Sequence, residues 1–369
     1  MWHCTVRFSL KIVVGVTLAT AMAVAQTLPP PKFLYSSDAA NNRIHGYQVN
    51  AATGVLTPNG QGGVATNQGP TRVASDKGGY RLYVINYNSK DLSAYFINRS
   101  NGHLTAVPGS PFKIGEAPTG VAVHPSGHYV YVTTFLSTTN PSGSVYAFAV
   151  QKNGSLKPVP GSPFATINWA QTLAIDPQGK YLYVSSSPDV PHPAISKVDA
   201  FSISSTDGAL TPLPGTPYTE PNSSRCANGA IDIAIHPSGR FLLLPNLCEG
   251  LVVYRITRTT GTLTLIKGSP FPPPVPGFLQ EGDVNSIAMD PQGVYFGVTD
   301  SFCFLGCSMT TDTWKLNTTT GVPTYLESGI AGCALLARSD PSGKFLYEIG
   351  DTGSPNCGGG PTDAIWVSI

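Results

Sequence analysis

Arg72, Asp232 and Asp300 carry the side chains best suited to chemistry in this chain of 369 residues. An ionised carboxylate can take a proton from water, and a guanidinium can hold an anion through paired hydrogen bonds. Arg225, Glu281, Asp283, Asn246 and His192 are polar residues suited to binding a ligand rather than reacting with it. His192, within Pro191-His192-Pro193, is a lone loop histidine, a kind more often inert than catalytic. Gly-x-Ser-x-Gly, His-Glu-x-x-His and phosphate-loop patterns are all absent. No cofactor is therefore expected. Cys303 and Cys307 are close in sequence, but no histidine neighbours them, so no metal site is expected either.

The frame that must position these residues is a repeated phrase. Gly120-Val121-Ala122-Val123-His124-Pro125-Ser126-Gly127-His128-Tyr129-Val130-Tyr131-Val132 is one copy, and the stretch around His236-Pro237-Ser238-Gly239 is another. The turn glycines Gly79, Gly127, Gly179, Gly239, Gly293 and Gly343 recur roughly every 50 residues. Phe33-Leu34-Tyr35 fits the second half of a further copy at the front, with Pro31 in the glycine slot. A second phrase, of the type Val145 to Val150, and a third, Gly-x-Leu followed by Gly-Ser-Pro-Phe, complete each unit. Each unit reads as four short strands: A (Val-Ala-Val), B (Tyr-Val-Tyr-Val), C (Tyr-x-Phe) and D (Leu-x-x-Val). Alternating β-branched and aromatic residues between Gly, Pro, Asn and Ser clusters are the mark of strands. Proline presets φ in the A–B turn and glycine supplies its left-handed position. Seven such units predict an all-β, seven-bladed β-propeller of four-stranded antiparallel blades. The first and last blades are short, because blade 1 shows no copy of A and blade 7 none of D. The histidines of the A–B turns, His124, His128 and His236, are explained by the repeat and belong to the scaffold.

Residues 1–25 read as a signal peptide, leaving 26–369 as the propeller. Arg7 and Lys11 precede an apolar run that ends Ala23-Val24-Ala25 before Gln26. The run is short for a membrane span. Cleavage removes two of the 22 basic residues and leaves the 21 acidic ones, so the mature chain is close to neutral. Only 12% of residues are charged, which argues against a nucleic-acid-binding surface. The expected location is periplasmic or extracellular, with no integral membrane segment after cleavage. A small molecule or carbohydrate is the expected kind of ligand, and no protein partner is indicated.

Six cysteines remain in the mature chain: Cys226, Cys248, Cys303, Cys307, Cys333 and Cys357. An even number in an exported chain reads as disulfides. Cys226 and Cys333 fall just before strand A of their blades, and Cys248 and Cys357 just after strand B. Antiparallel A and B strands bring those ends together. The expected pairs are Cys226–Cys248 and Cys333–Cys357, with Cys303–Cys307 in a tight loop.

Loops before A and after B share one face of a propeller, here the loop face; the Pro-x-Gly turns share the other, the turn face. The longest connections and all six cysteines map to the loop face. Acidic residues collect there, among them Glu116, Glu220, Glu281, Asp283 and Asp300, and taken singly they read as solvated loop charges. The row in register with Gly120 at the start of strand A is Arg72, Thr172, Asp232 and Ser286. Arg72 and Asp232 would face each other across the ring, either to bind a polar ligand or to compensate one another.

In these phrases the chain resembles the seven-bladed propeller lactonases, the 6-phosphogluconolactonase-like family, and the YVTN-type propellers related to it. The most specific stretch is Ile231 to Leu263, with His-Pro-Ser-Gly-Arg-Phe, Leu-Pro-Asn-Leu, Val-Tyr-Arg-Ile and Thr-Gly-Thr-Leu. The resemblance implies a lactone hydrolase. The family's histidine falls on Ile231, its Pro-Asp-Leu-Gly aspartate on Asn246, its Arg-His pair on Asn285-Ser286 and its Asn-Glu pair on Asp300-Ser301. Two readings follow. One is an exported hydrolase of a sugar lactone or similar small ring, with Asp300 or Asp232 as base and Arg72 as anion clamp. The other is a non-catalytic propeller that binds a small molecule, glycan or protein through its loop face. The residues alone do not decide whether the chain is an enzyme.

Overall fold

A computed structural model describes residues 33–368, apart from 136–141, 167–168, 188–196, 222–231, 247–249, 273–281, 304–306, 331–333 and 351–363. Every regular element in it is a strand, and the strands form seven antiparallel sheets, one for each expected blade. Blade 3 shows the pattern: A (Pro118–Val123), B (Tyr129–Thr134) and C (Ser144–Val150) run in ladder order. The outer strand differs from the single D strand expected. In blades 1 to 4 it is broken into two short pieces that both pair with C, in blade 3 Leu156–Pro158 and Phe164–Ala165. The break falls at Gly-Ser-Pro in blades 2 and 3 and at Gly-Thr-Pro in blade 4, where proline has no N–H to give to a ladder, and at the glycine-rich Gly60-Gln61-Gly62-Gly63 in blade 1. The serine repairs part of the loss, since the Ala147 N–H donates to Ser162 Oγ at 2.9 Å. Ala94 uses Ser110, Ala200 uses Thr216 and Val253 uses Ser269 in the same way.

Blade 1 consists of B (Phe33–Asp38), C (Arg43–Val49) and a split D, and blade 7 of A (Ala334–Ser339), B (Leu346–Gly350) and C (Ala364–Ser368). Among the described residues these two blades are short, one strand at the inner edge and one at the outer. Residues 1–25 and Gln26 to Pro31 lie outside the described residues.

The core is a series of slabs between neighbouring blades. Tyr181, Tyr183, Leu242, Leu244, Val252 and Tyr254 fill the seam between blades 4 and 5. Tyr131, Val145, Leu182, Val184 and Phe201 do the same between blades 3 and 4. Fully burying such side chains contributes about 1.5–3 kcal/mol each, which is why a single unit cannot stand alone. Two further contacts repeat at the seams. The aromatic that opens strand B packs on the next blade's C–D turn glycine. A side chain at Gly208, where φ is +77°, would collide with Tyr129. The tyrosine two residues on donates its hydroxyl to that glycine's carbonyl: Tyr35 to Gly102, Tyr131 to Gly208 and Tyr183 to Gly261, at 2.7–2.8 Å. Tyr347 of blade 7 reaches Gly54 of blade 1 at 3.4 Å, so the ring closes with the same contact that joins its interior.

Strand A carries a bulge near its loop-face end in five blades, between Pro70 and Arg72, Pro118 and Gly120, Ala170 and Thr172, Val284 and Ser286, and Ala334 and Leu336. An extra residue there re-aims the side chains that follow. Those side chains form the row singled out by register.

Candidate functional site in the central channel

The row converges. Arg72, on strand A of blade 2 (Pro70–Ser75), places Nη1 3.6 Å from Asp232 Oδ1 of blade 5. The same nitrogen donates to Thr172 Oγ1 of blade 4 at 3.3 Å. A second guanidinium arrives from blade 7, with Arg338 Nη1 3.4 Å from Asp232 Oδ2. Arg338 also donates to Ser286 Oγ of blade 6 at 2.9 Å and to the Ala337 carbonyl at 2.7 Å. Five of the seven blades thus meet in one polar cluster.

Asp232 is its hub. The carboxylate is buried, and each oxygen also accepts a backbone N–H: Oδ1 from Ile233 at 3.0 Å and Oδ2 from Ile287 at 3.1 Å. Two guanidinium groups around one carboxylate leave an excess positive charge where water is partly excluded. Burial draws the Arg72 guanidinium below its ordinary value, Asp232 pushes it back up, and the charge on Arg338 lowers it again. Arg72 is largely enclosed, whereas Arg338 leaves 49% of its side chain exposed. An additional anion here would relieve the repulsion between the two guanidinium groups.

Arg338 was not singled out by the sequence, although a signal existed. It occupies the slot that the Val-Ala-Val phrase fills with Ala74, Ala122, Ala174, Ala234 and Ala288. A charged residue in the alanine slot of a repeat is a departure as informative as Arg72.

The other candidates divide. Asn246, at the end of strand B in blade 5 (Phe241–Asn246), is buried and donates Nδ2 to Glu220 Oε2 at 2.9 Å. Glu220 is buried too, which corrects its reading as a solvated loop charge. Blades 2, 3 and 4 hold the residue at the same position of strand B in the same way. Thr134 donates to Glu116 at 2.7 Å, Ser186 to Asp199 at 2.8 Å and Asn86 to Asp91 at 2.7 Å. Asp283 and Asp300 lie on strands A and B of blade 6 (Gly282–Met289 and Tyr295–Cys303), and Asp300 pairs in register with Val284, two positions before Ser286. Cys303 and Cys307 stand opposite each other across the B–C hairpin of that blade. Strands B and C run right up to them, further than the short strands expected from the repeat. Arg225, Glu281, His192, Cys226, Cys248, Cys333 and Cys357 lie outside the described residues. The scaffold histidines do what the repeat implies: His124 Nε2 is 2.9 Å from the Gly179 carbonyl and His236 Nε2 3.1 Å from that of Gly293, each bridging to the next blade's turn. Among the described residues no His, Cys, Asp and Glu side chains cluster as metal ligands would, and no helix is long and apolar enough to cross a membrane.

Comparison with known proteins agrees with the fold. A family model described as "Lactonase, 7-bladed beta-propeller" matches residues 19–118. A 6-phosphogluconolactonase of Yersinia pestis is 29% identical over 164 residues, which cover 42% of this chain and 43% of the relative, so the match spans less than half of that protein. The 6-phosphogluconolactonase of Enterobacter sp. (strain 638) is 22% identical over 319 residues, covering 71% of this chain and 89% of the relative. Among solved structures, the periplasmic gluconolactonase of Pseudomonas aeruginosa superposes with a TM-score of 0.67 at 16% identity, covering 91% of this chain and 98% of that one. A putative 6-phosphogluconolactonase from Bacteroides fragilis gives 0.64 at 20% identity, covering 86% of each chain. By its repeats, its sequence relatives and its fold, the chain is an all-β, seven-bladed propeller that resembles the 6-phosphogluconolactonase-like lactonases.

Proposed function

We propose that this protein is an exported lactone hydrolase acting on a small polyhydroxylated lactone at the loop-face end of its channel. The observation that carries the reading is the pair of guanidinium groups, Arg72 and Arg338, held around one buried carboxylate. In lactone opening, water adds to the acyl carbon, the ring C–O bond breaks, and the ring oxygen takes up a proton. The products are a hydroxyl and a carboxylate, with one proton released to solvent. Negative charge gathers first on the carbonyl oxygen and then on the carboxylate. Fixed guanidinium donors stabilise both.

The roles divide by geometry. Both oxygens of Asp232 already accept a backbone N–H and face a guanidinium, so it serves as the anchor that aims Arg72 and Arg338. The base that activates water is then Asp300, whose backbone position borders the cluster. Arg225, Glu281, Asp283 and His192 are proposed to bind the substrate's hydroxyls from the surrounding loops. Export rests on the leader-like residues 1–25; N-terminal sequencing of secreted protein should begin at Gln26.

A second reading, a propeller that binds a small molecule, glycan or protein without reaction, is favoured by the engagement of Asp232 and by Ile231 and Asn246 at the family's histidine and aspartate positions. Proton release from a panel of sugar lactones, followed at constant pH on the purified mature chain, separates the two. Turnover that is lost in the Arg72→Ala, Asp300→Ala double variant supports the hydrolase and its site. Turnover that survives the double variant overturns the site, and binding without turnover of any lactone supports the second reading.

A further inference from the structure

The seam between blades 2 and 3 departs from the pattern of the others at several points, and two of the departing residues, Lys77 and Arg81, line one groove. Strand B opens with an aromatic in every other blade (Phe33, Tyr129, Tyr181, Phe241, Tyr295 and Phe345), but in blade 2 it opens with Arg81. The A–B turn has proline in blades 3 to 7, whereas blade 2 has Lys77. Blade 5 pairs Phe241 on strand B with Arg255 on strand C; blade 2 exchanges them, pairing Arg81 with Phe96. Phe96 now does the packing on the next C–D turn, where a side chain at Gly154 would collide with its ring. The exchange keeps the apolar contact and places a guanidinium beside the seam.

It also breaks the hydroxyl contact. Tyr83 is the counterpart of Tyr35, Tyr131 and Tyr183, yet its buried hydroxyl has no hydrogen-bond partner among the described residues, and neither has Nε of Arg81. Two unpartnered polar atoms at one seam are an unfavourable arrangement for a purely structural joint.

On the turn face, this seam opens into a groove of about 440 Å³. Lys77 and Arg81 line it from blade 2, and His128 and Lys152 from blade 3. The one carboxylate in its wall, Asp76, is committed to its own turn, accepting the N–H of Tyr80 at 2.7 Å and facing Arg81 Nη1 at 3.4 Å. Tyr80, 52% exposed, forms an aromatic wall and is stiffened by the guanidinium of Arg99, 4.7 Å above its ring. In a chain with so few charges, three permanent cations and a histidine around one small cavity make a site for a negative ligand. The volume suits a compact molecule rather than a polymer.

We propose that this turn-face groove binds a small oxyanion-bearing ligand, a phosphate or carboxylate ester or salt of about sugar size, at a site separate from the channel cluster. Arg81 and Lys77 hold the oxyanion, Lys152 and His128 close over it, and Tyr80 takes the apolar face of the rest. The occupancy is independent of whether the channel hydrolyses lactones.

Calorimetric titration of the full mature chain with inorganic phosphate and, in a second arm, acetate, at constant ionic strength, tests this. The Lys77→Pro, Arg81→Tyr double variant restores the residues of the other blades and is expected to fold. The channel guanidinium pair would take an anion too, so the titration is read in an Arg72→Ala, Arg338→Ala background, where phosphate or acetate should bind with one site per chain. Affinity should fall at least about tenfold when the double variant is added to that background. Lys152→Ala, at an exposed position, should weaken binding about threefold, and it serves as the test should the double variant fail to fold. The arm that binds more tightly identifies the ligand as phosphate-like or carboxylate-like. Equal affinity in all variants, no binding in that background, or binding of a long sulfated polymer alone would each overturn the proposal.

Discussion

Tyr347 stands to Gly54 as Tyr183 stands to Gly261: each donates its hydroxyl to a turn carbonyl of the following blade, at 3.4 and 2.7 Å. The blade after Tyr183 is next in sequence, whereas the blade after Tyr347 is the first of the chain. One side-chain device therefore serves both for propagating the ring and for closing it.

Removing the device should cost different amounts at different seams. Tyr183→Phe leaves the Gly261 carbonyl short of a partner and should cost about 1–2 kcal/mol in urea unfolding. Tyr83→Phe removes a hydroxyl that has no partner among the described residues and should be neutral or stabilising. Equal losses in the two variants would show that the hydroxyl contact is not what holds the seams.

The channel cluster separates anchor from clamp. Arg338→Ala supplies the residue that five other blades already carry, and half of the arginine side chain is exposed, so stability should fall by less than about 1 kcal/mol. Asp232→Ala strands two guanidinium groups and should cost on the order of 3 kcal/mol. If the chain hydrolyses lactones, Arg338→Ala should raise KM about tenfold for a lactone bearing an acidic group, and less than about twofold for a neutral one. Steady-state kinetics on the two substrate types check this split.

His236 gives the fold a pH dependence of known sign. Burial holds its imidazole below the ordinary value, against the opposing pull of the Gly293 carbonyl and Asp290. Nδ1 accepts the Ser238 N–H at 3.0 Å, so the folded ring is neutral and carries its proton on Nε2. The unfolded chain binds a proton near pH 6.5, before the folded chain does. The contribution to stability is thus complete above about pH 6.5 and is lost as pH falls through the folded value. His236→Asp, which supplies the turn residue of Asp76, Asp176, Asp290 and Asp340, should flatten that part of the stability profile measured between about pH 7 and 5.

The cysteines test export and geometry together. Non-reducing peptide mapping of secreted protein should recover Cys303–Cys307, whose positions face each other across a hairpin, together with Cys226–Cys248 and Cys333–Cys357. Reduction should lower stability by about 3 kcal/mol for each of the two longer loops. Six free thiols would refute all three pairs and weaken the case for export.

The strands were legible in the sequence because each phrase states its own role: the Val-Ala-Val of A, the aromatic opening of B, the Gly-x-Leu of D. Register then carried the reading to the meeting of Arg72 with Asp232 and Thr172, since residues in one row of a ring face one channel. Arg338 escaped because it lies two residues further along strand A, in a blade whose phrase reads Leu-Ala-Arg. Glu220 and Asn246 read as loop-face charge and ligand donor, and proved to be a buried pair. A glutamate that precedes its strand by many residues gives no local sign that it folds back to cap another. The break in strand D was written in Gly-Ser-Pro, yet its consequence, a hydroxyl standing in for a lost ladder bond, depends on a strand some fifteen residues earlier and emerges only in three dimensions.

The crossbar of Arg72, Asp232 and Arg338 has a kinetic corollary. Side chains from blades 2, 5 and 7 meet where an open propeller would have a through-going shaft, and Thr172 and Ser286 tie them to blades 4 and 6. The crossbar stands in the path of any ligand that would pass along that shaft. On the proposed hydrolase reading, substrate and product would share the loop-face mouth. A product carboxylate held on the guanidinium pair would block the next arrival, so initial-rate kinetics should show competitive product inhibition.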